Sequence, residues 1–258
     1  MPECLEAEIW RRDLLALIGR RIDRVEFDDR VADPALAAVE GTTIEGVRRH
    51  GKVVLVDTSG PVIGVRFGMT GRVVVDGASS IDALAYSSRR DDPAWDRVVV
   101  WADGSETPAL RMNDPRRLGR IETDPDLRGL GPDALGIGLD ELRARLRGRT
   151  AATKATLMNQ SVVAGLGNLC VDEVLFAAGI APTVAAGSLS AAETRRLQRA
   201  LVTRLPAMLR AGGSTHGVLD PSRRAERGRC PRRGCVGALR VIRIGGRTTV
   251  YCPEHQLA

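Results

Sequence analysis

Lysine is nearly absent from this chain: of 38 basic residues only Lys52 and Lys154 are lysines, the rest being arginine. The bias points to a GC-rich coding sequence and makes each remaining lysine a position to examine. No apolar run approaches the roughly 18 residues that a membrane span needs. The start is acidic, with Glu3, Glu6 and Glu8, which is not how a secretory signal opens. Five cysteines are an odd number, and Cys4 and Cys170 stand apart from Cys230, Cys235 and Cys252. That excludes a paired disulfide framework and suits a reducing compartment with a metal site. No internal repeat is visible. These absences predict a cytoplasmic protein with no membrane partner, and 258 residues suffice for two modest domains.

What is present is basic. The formal net charge is +6, and nine arginines face a single acid, Glu226, between Arg223 and Arg247. A concentrated basic region attracts polyanions, although a solvated tail has the same composition.

Apolar residues at Leu5, Ile9, Leu14, Leu17 and Ile18 repeat on one helical face, so a helix is predicted from Cys4 to Gly19. Pro2 is tolerated just before it, because the first N–H groups of a helix have no partner within it. Strand-like runs follow at Val53–Asp57, Pro61–Phe67, Arg72–Asp76 and Val98–Ala102, separated by turn residues. The pattern then turns helical at Leu139–Leu146, Ala152–Ala164, Cys170–Ala178 and Ala191–Leu209. The expectation is an α+β chain: an N-terminal β-sandwich domain with a leading helix (residues 1–122), a turn-rich linker (123–138), a helical domain (139–222) and a cysteine-bearing appendix (223–258).

Within the appendix, four residues separate Cys230 from Cys235, sixteen separate Cys235 from Cys252, and two separate Cys252 from His255. Two close pairs bridged in this way can converge on one tetrahedral Zn2+, which is structural because the protein fills all four positions. The bridge reads as a β-hairpin turning at Gly245-Gly246, with Arg247 projecting toward a bound polyanion.

Pro2-Glu3 alone says little beyond a favourable helix start. Chemically it permits more. Once Met1 is removed, Pro2 is a secondary amine that can attack a sugar C1′ and form an iminium, which acidifies C2′ and opens β-elimination. Glu3 stands close enough in sequence to move protons.

Five stretches, in order, resemble the formamidopyrimidine-DNA glycosylase/endonuclease VIII family: Met1-Pro2-Glu3-Cys4-Leu5-Glu6; Arg48-Arg49-His50-Gly51-Lys52; Gly68-Met69-Thr70-Gly71 with Asn113-Asp114-Pro115-Arg116-Arg117-Leu118-Gly119; Gln160 to Asn168 with Asp172-Glu173; and the cysteine hairpin. The resemblance implies a helix–two-turn–helix domain after the β-sandwich and a β-hairpin zinc finger at the end. It implies a bifunctional glycosylase and abasic-site lyase acting as a monomer on double-stranded DNA with damaged bases or abasic sites. Pro2 would be the nucleophile and Glu3 the acid, with Lys52 assisting elimination and Arg247 clamping phosphate beside the lesion. Glu6 and Glu173 would support the active site. Met69, Arg116 and Leu118 would fill the space left by the extruded base, since extrusion costs stacking that inserted side chains partly replace. Lys154 and Asn168 would contact DNA.

Some positions depart from the family pattern. Cys4-Leu5 replaces its second proline segment, Leu118 its wedge phenylalanine, and His255 its last cysteine. Only sixteen residues lie between Gly212-Gly213 and Cys230, too few for a long loop over an extruded base. Weak activity on 8-oxoguanine is therefore expected. The alternative is a catalytically silent relative that binds damaged DNA.

Overall fold

The computed structural model describes residues 2–81, 84, 87–226 and 228–257. Met1, whose removal would expose Pro2, lies outside them. The chain divides into two compact units, one of Pro2 and Glu6–Arg128, the other of Glu3–Leu5 with Gly129–Ala258.

Helix α1 (Cys4–Leu14) tightens into a 3-10 turn at Leu15–Leu17, and Gly19 then takes a positive φ of 91°, which glycine adopts without steric cost. The first unit continues with β1 (Ile22–Phe27), β2 (Ile44–His50), β3 (Val53–Thr58), β4 (Ile63–Arg66), β5 (Arg72–Val75), β6 (Asp96–Ala102), β7 (Leu110–Asn113) and β8 (Arg120–Thr123). Two four-stranded antiparallel sheets result, ordered β1-β6-β7-β5 and β2-β3-β4-β8. Val54, Val56, Val65, Val73, Val98 and Val100 share one buried cluster with Trp10, Leu14 and Leu17 of the leading helix segment. This is a β-sandwich closed by a helix. Trp10 anchors it, its ring 4.3 Å from that of Phe67 at the end of β4.

The second unit holds α2 (Leu139–Leu146), α3 (Thr153–Met158), α4 (Asn168–Ala178), α5 (Ala191–Ala211), α6 (Pro221–Glu226) and the hairpin β9 (Arg240–Ile244)–β10 (Arg247–Tyr251). Helix α4 is buried on nearly every side, and its core continues into Leu142, Leu157, Leu197, Leu201 and Leu205. Ser190 and Glu193 form a capping box at the start of α5. Gly179 ends α4 in the left-handed conformation. The helix expected over Ala152–Ala164 stops at Met158. Asn159 Oδ1 takes the backbone N–H of Ser161, and Gln160 Nε2 bonds the carbonyls of Met158 and Leu166, so side chains replace the helical ladder there. The short helix α6 has no counterpart among the elements expected from the sequence.

Candidate functional site

In the first unit, Gly51-Lys52 forms a two-residue turn between paired His50 and Val53. Gly51 has a φ of 59°, as the first central position of a type II′ hairpin requires. Arg49 fixes this turn from below: Nη1 donates to the Gly51 carbonyl at 2.7 Å and Nε to Glu8 Oε2 at 3.2 Å. Lys52 is half-buried and Glu6 is buried.

Two further loops of this unit carry the expected wedges. Met69 follows Gly68, whose φ is 58° and where a Cβ would meet the Leu118 carbonyl oxygen at 2.1 Å. Only glycine allows that approach. Arg116 and Leu118 are exposed, Leu118 at 45% although it is apolar. Asp114 organises both loops, although its sequence context does not single it out. Fully buried, it accepts the Thr70 hydroxyl on Oδ1, the Arg116 N–H on Oδ1 at 3.2 Å, and the N–H groups of Leu118 and Gly119 on Oδ2 at 2.7 Å each.

In the second unit, the Glu3 carboxylate occupies the N-terminus of α4. Oε1 accepts from Leu169 N at 2.8 Å, while Oε2 accepts from Gly167 N at 2.8 Å and Cys170 N at 3.1 Å. Such N–H groups have no partner within a helix, and the positive end of the helix dipole favours an anion. The Cys4 N–H donates to the Gly165 carbonyl at 3.0 Å, which fixes the approach of the chain. Gly167 is required for closeness, since a Cβ there would lie 2.4 Å from Glu3 Cδ. Asn168, the next residue, is half-buried, and its Oδ1 is shielded with no hydrogen-bond partner among the described residues.

Lys154 corrects an expectation. Anticipated as a DNA contact, it is 0% exposed. Its Nζ donates to Asp172 Oδ1 at 2.7 Å and to the Thr248 carbonyl at 3.1 Å. Burial pushes the ammonium below its ordinary value, and the Asp172 carboxylate opposes that shift. Asp172 Oδ2 also takes Arg224 Nη1 at 2.8 Å and Val250 N at 3.1 Å. The network therefore ties α3, α4, α6 and β10 together. Glu173, also buried, accepts the N–H of Leu219 and a 3.3 Å contact from Arg204 Nη2, which pins the short segment after α5. Asp172 lies in the stretch that carries the resemblance but has no role assigned there, and Arg224 does not stand out in the sequence from the basic run around it.

The ligand atoms of Cys230, Cys235 and Cys252 lie within 4.8 Å of one another, and all three thiols are free. Burial raises the Cys230 thiol, while a backbone N–H at Gly237 lowers Cys235. Three converging sulfurs can hold a metal ion. His255 does not join that trio. Its Nε2 donates to the Phe176 carbonyl at 2.6 Å, its Nδ1 accepts from Arg232 Nη1 at 2.7 Å, and its ring meets the Phe176 ring edge-on. Burial lowers its pKa, which favours the neutral imidazole. The Nε2–H bond leaves Nδ1 as the nitrogen with a lone pair for a ligand role. Arg247 is exposed beside the Gly245-Gly246 turn, where both glycines have positive φ, as a type I′ turn demands.

A β-sandwich with a leading helix, followed by helices whose buried α4 begins on a Gly-Leu-Gly-Asn turn and by a cysteine hairpin, defines a helix–two-turn–helix protein. The formamidopyrimidine-DNA glycosylase N-terminal domain matches residues 1–121, and the formamidopyrimidine-DNA glycosylase H2TH domain matches residues 129–220. The chain belongs to the formamidopyrimidine-DNA glycosylase family. It is 36% identical to the formamidopyrimidine-DNA glycosylase of Rhodopseudomonas palustris over 298 aligned positions, covering 99% of this chain and all of that protein. The Geobacter metallireducens formamidopyrimidine-DNA glycosylase is 35% identical at the same coverage. The 298 positions exceed this chain's 258 residues, so that relative carries stretches with no counterpart here. Among solved structures, the MutM (Fpg) protein of Thermus thermophilus superposes with a TM-score of 0.79 at 29% identity, covering 99% of this chain and 98% of that one. A Lactococcus lactis Fpg variant in complex with Fapy-dG-containing DNA also gives 0.79, at 25% identity over the full length of both chains.

Proposed function

We propose that this chain is a bifunctional DNA glycosylase and abasic-site lyase of base-excision repair, acting on oxidised or ring-opened bases in double-stranded DNA. Membership of the family, with relatives aligned along their whole length, supports the reaction class. The observation that carries it to particular residues is the Glu3 carboxylate seated on three N–H groups at the start of α4, which holds the beginning of the chain in one place.

In this reading the Pro2 nitrogen lone pair forms a bond to C1′ of the deoxyribose. The glycosidic bond breaks, and its electrons leave with the base, which takes up a proton. Glu3 moves protons at the ring oxygen as the sugar opens. Loss of a C2′ proton from the resulting iminium expels the 3′ phosphate, and a second elimination expels the 5′ phosphate. Water then releases the sugar remnant and restores Pro2. Lys52 assists elimination. Arg247 and Asn168 grip the phosphates around the lesion. Met69, Arg116 and Leu118 occupy the space the base has left.

One structural zinc held by Cys230, Cys235, Cys252 and Nδ1 of His255 would fix the hairpin that bears Arg247, with Arg232 yielding Nδ1 to the ion. The donor set fits zinc: three sulfurs within reach of one another and a neutral imidazole oriented by a carbonyl. No helix among the described residues is long and apolar enough to cross a membrane. A cytoplasmic setting at the nucleoid follows from the DNA substrate.

The short segment pinned by Glu173 supports weak action on 8-oxoguanine relative to ring-opened purines. Borohydride reduction during incubation with abasic DNA tests the reaction class. A covalent protein–DNA complex that disappears in Pro2→Gly is expected. Binding of abasic DNA without trapping, by protein shown to lack Met1, would favour a silent damaged-DNA binder.

A further inference from the structure

The two wedge-bearing loops of the first unit are hydrogen-bonded to one another, through residues to which neither the family resemblance nor the reaction assigns a role. Thr70 follows Met69 and is 1% exposed, and its hydroxyl donates to the Asp114 carboxylate. Asp114, itself 0% exposed, spends its remaining capacity on the N–H groups of Arg116, Leu118 and Gly119. Each carries or adjoins a wedge side chain. The Asp114 carbonyl in turn accepts Arg97 Nε at 2.8 Å, and Arg97 is 4% exposed. Arg117, in the left-handed conformation at φ 53°, has its Nε on Asp28 Oδ2 at 2.7 Å. These anchors of the second loop are buried or charge-assisted bonds. Among the described residues it meets the first loop through the Thr70 hydroxyl and the close approach of Gly68 to the Leu118 carbonyl.

We propose that Thr70 and Asp114 are positioning residues that make Met69, Arg116 and Leu118 enter the duplex as one rigid element. The inference rests on the wedge reading given above. If either loop moves alone, the buried Thr70 hydroxyl loses its carboxylate acceptor and Asp114 Oδ1 keeps only the Arg116 N–H, and a buried hydroxyl stripped of its partner is costly. The loops must therefore shift together or remain fixed.

The test uses full-length protein and a duplex with one formamidopyrimidine lesion and 2-aminopurine facing it in the other strand. The rate of fluorescence rise reports insertion beside the unpaired base. Thr70→Val and Asp114→Asn should each slow that rise about tenfold, and the double variant should be no slower than the worse single one. Thr70→Ser should restore the wild-type rate. Borohydride trapping on a preformed abasic duplex should stay near wild type in all of them, since no base needs to be displaced there. Should Asp114→Asn unfold, Thr70→Val carries the test, because it leaves the carboxylate and its three N–H donors in place. Met69→Ala separates the failures. If it slows the rise while Thr70→Val does not, or if the singles add in the double, the coupling is overturned. If Met69→Ala leaves the rise unchanged, the wedge reading falls and the proposal with it.

Discussion

Glu3 and Leu169 are joined by a 2.8 Å hydrogen bond from the Leu169 N–H to Oε1, although they stand 166 positions apart in the chain. With Gly167 and Cys170 bonding the other oxygen, the residue next to the proposed nucleophile is also the cap of α4. Gly167→Ala tests this coupling. The added Cβ would fall 2.4 Å from Glu3 Cδ, so the carboxylate must leave its seat. We expect melting to show a loss of about 1–3 kcal/mol and base release to fall by at least about tenfold. Wild-type excision by a folded Gly167→Ala protein would contradict the account.

The buried pair of Lys154 and Asp172 makes a different prediction. Breaking a buried ion pair from one side leaves the other charge stranded, at a cost of about 3–5 kcal/mol. Asp172→Asn strands Lys154 and weakens the bond to Val250 on β10 as well. Lys154→Met, which fills the same space, strands less, because Arg224 still pairs with Asp172. Thermal melts should rank Asp172→Asn below Lys154→Met, and chelator competition should strip metal from Asp172→Asn sooner.

Acid should act through Glu8. Burial raises its carboxyl, but hydrogen bonds from Arg11, Arg12 and Arg49 outweigh this and leave it below its ordinary 4.5. A carboxylate lowered by folding contributes its full stabilisation above the unfolded value and loses it as pH falls through the folded one. The melting temperature of the wild type should therefore drop more steeply than that of Glu8→Gln as pH is taken from about 6 to about 3. Parallel slopes would remove Glu8 from the account of the Lys52 turn.

Much of this architecture is legible in the amino acids, and the exceptions have physical causes. Strands β3 to β6 show as apolar runs, but β1 and β2 do not. Bulges between Ile22 and Arg24 and between Ile44 and Gly46 shift the side chains by one, which destroys the alternation a reader looks for. Strand β7 has Leu110 and Met112 each followed by a polar residue, and β8 holds Ile121 alone among polar ones, so neither shows as an apolar run. The cysteine trio is readable from spacing because its ligands are local. Lys154 is not: its burial depends on Asp172 and Thr248, which only the tertiary fold brings to it. Asp114 sits in an Asn-Asp-Pro turn, and nothing local distinguishes a turn-forming aspartate from one that bridges two loops.

Metal removal should separate grip from chemistry. Chelated protein, or Cys252→Ser, should lose the ordered hairpin and with it the phosphate contact of Arg247. Affinity for an abasic-site duplex should fall, and the slope of log affinity against log salt should flatten by about one, the share of a single phosphate contact. An unchanged slope would mean that Arg247 does not meet phosphate.

The scarcity of lysine makes the central claim accessible to one measurement. Besides the chain's own amino terminus, only Lys52 and Lys154 carry amines, and Lys154 is held on Asp172 out of solvent. Borohydride-trapped complex with abasic DNA should be digested and its cross-linked peptide sequenced by mass spectrometry. The expected result is the sugar remnant on Pro2, with Lys52 and Lys154 unmodified. An adduct on either lysine, with Pro2 free and unmodified, would contradict it.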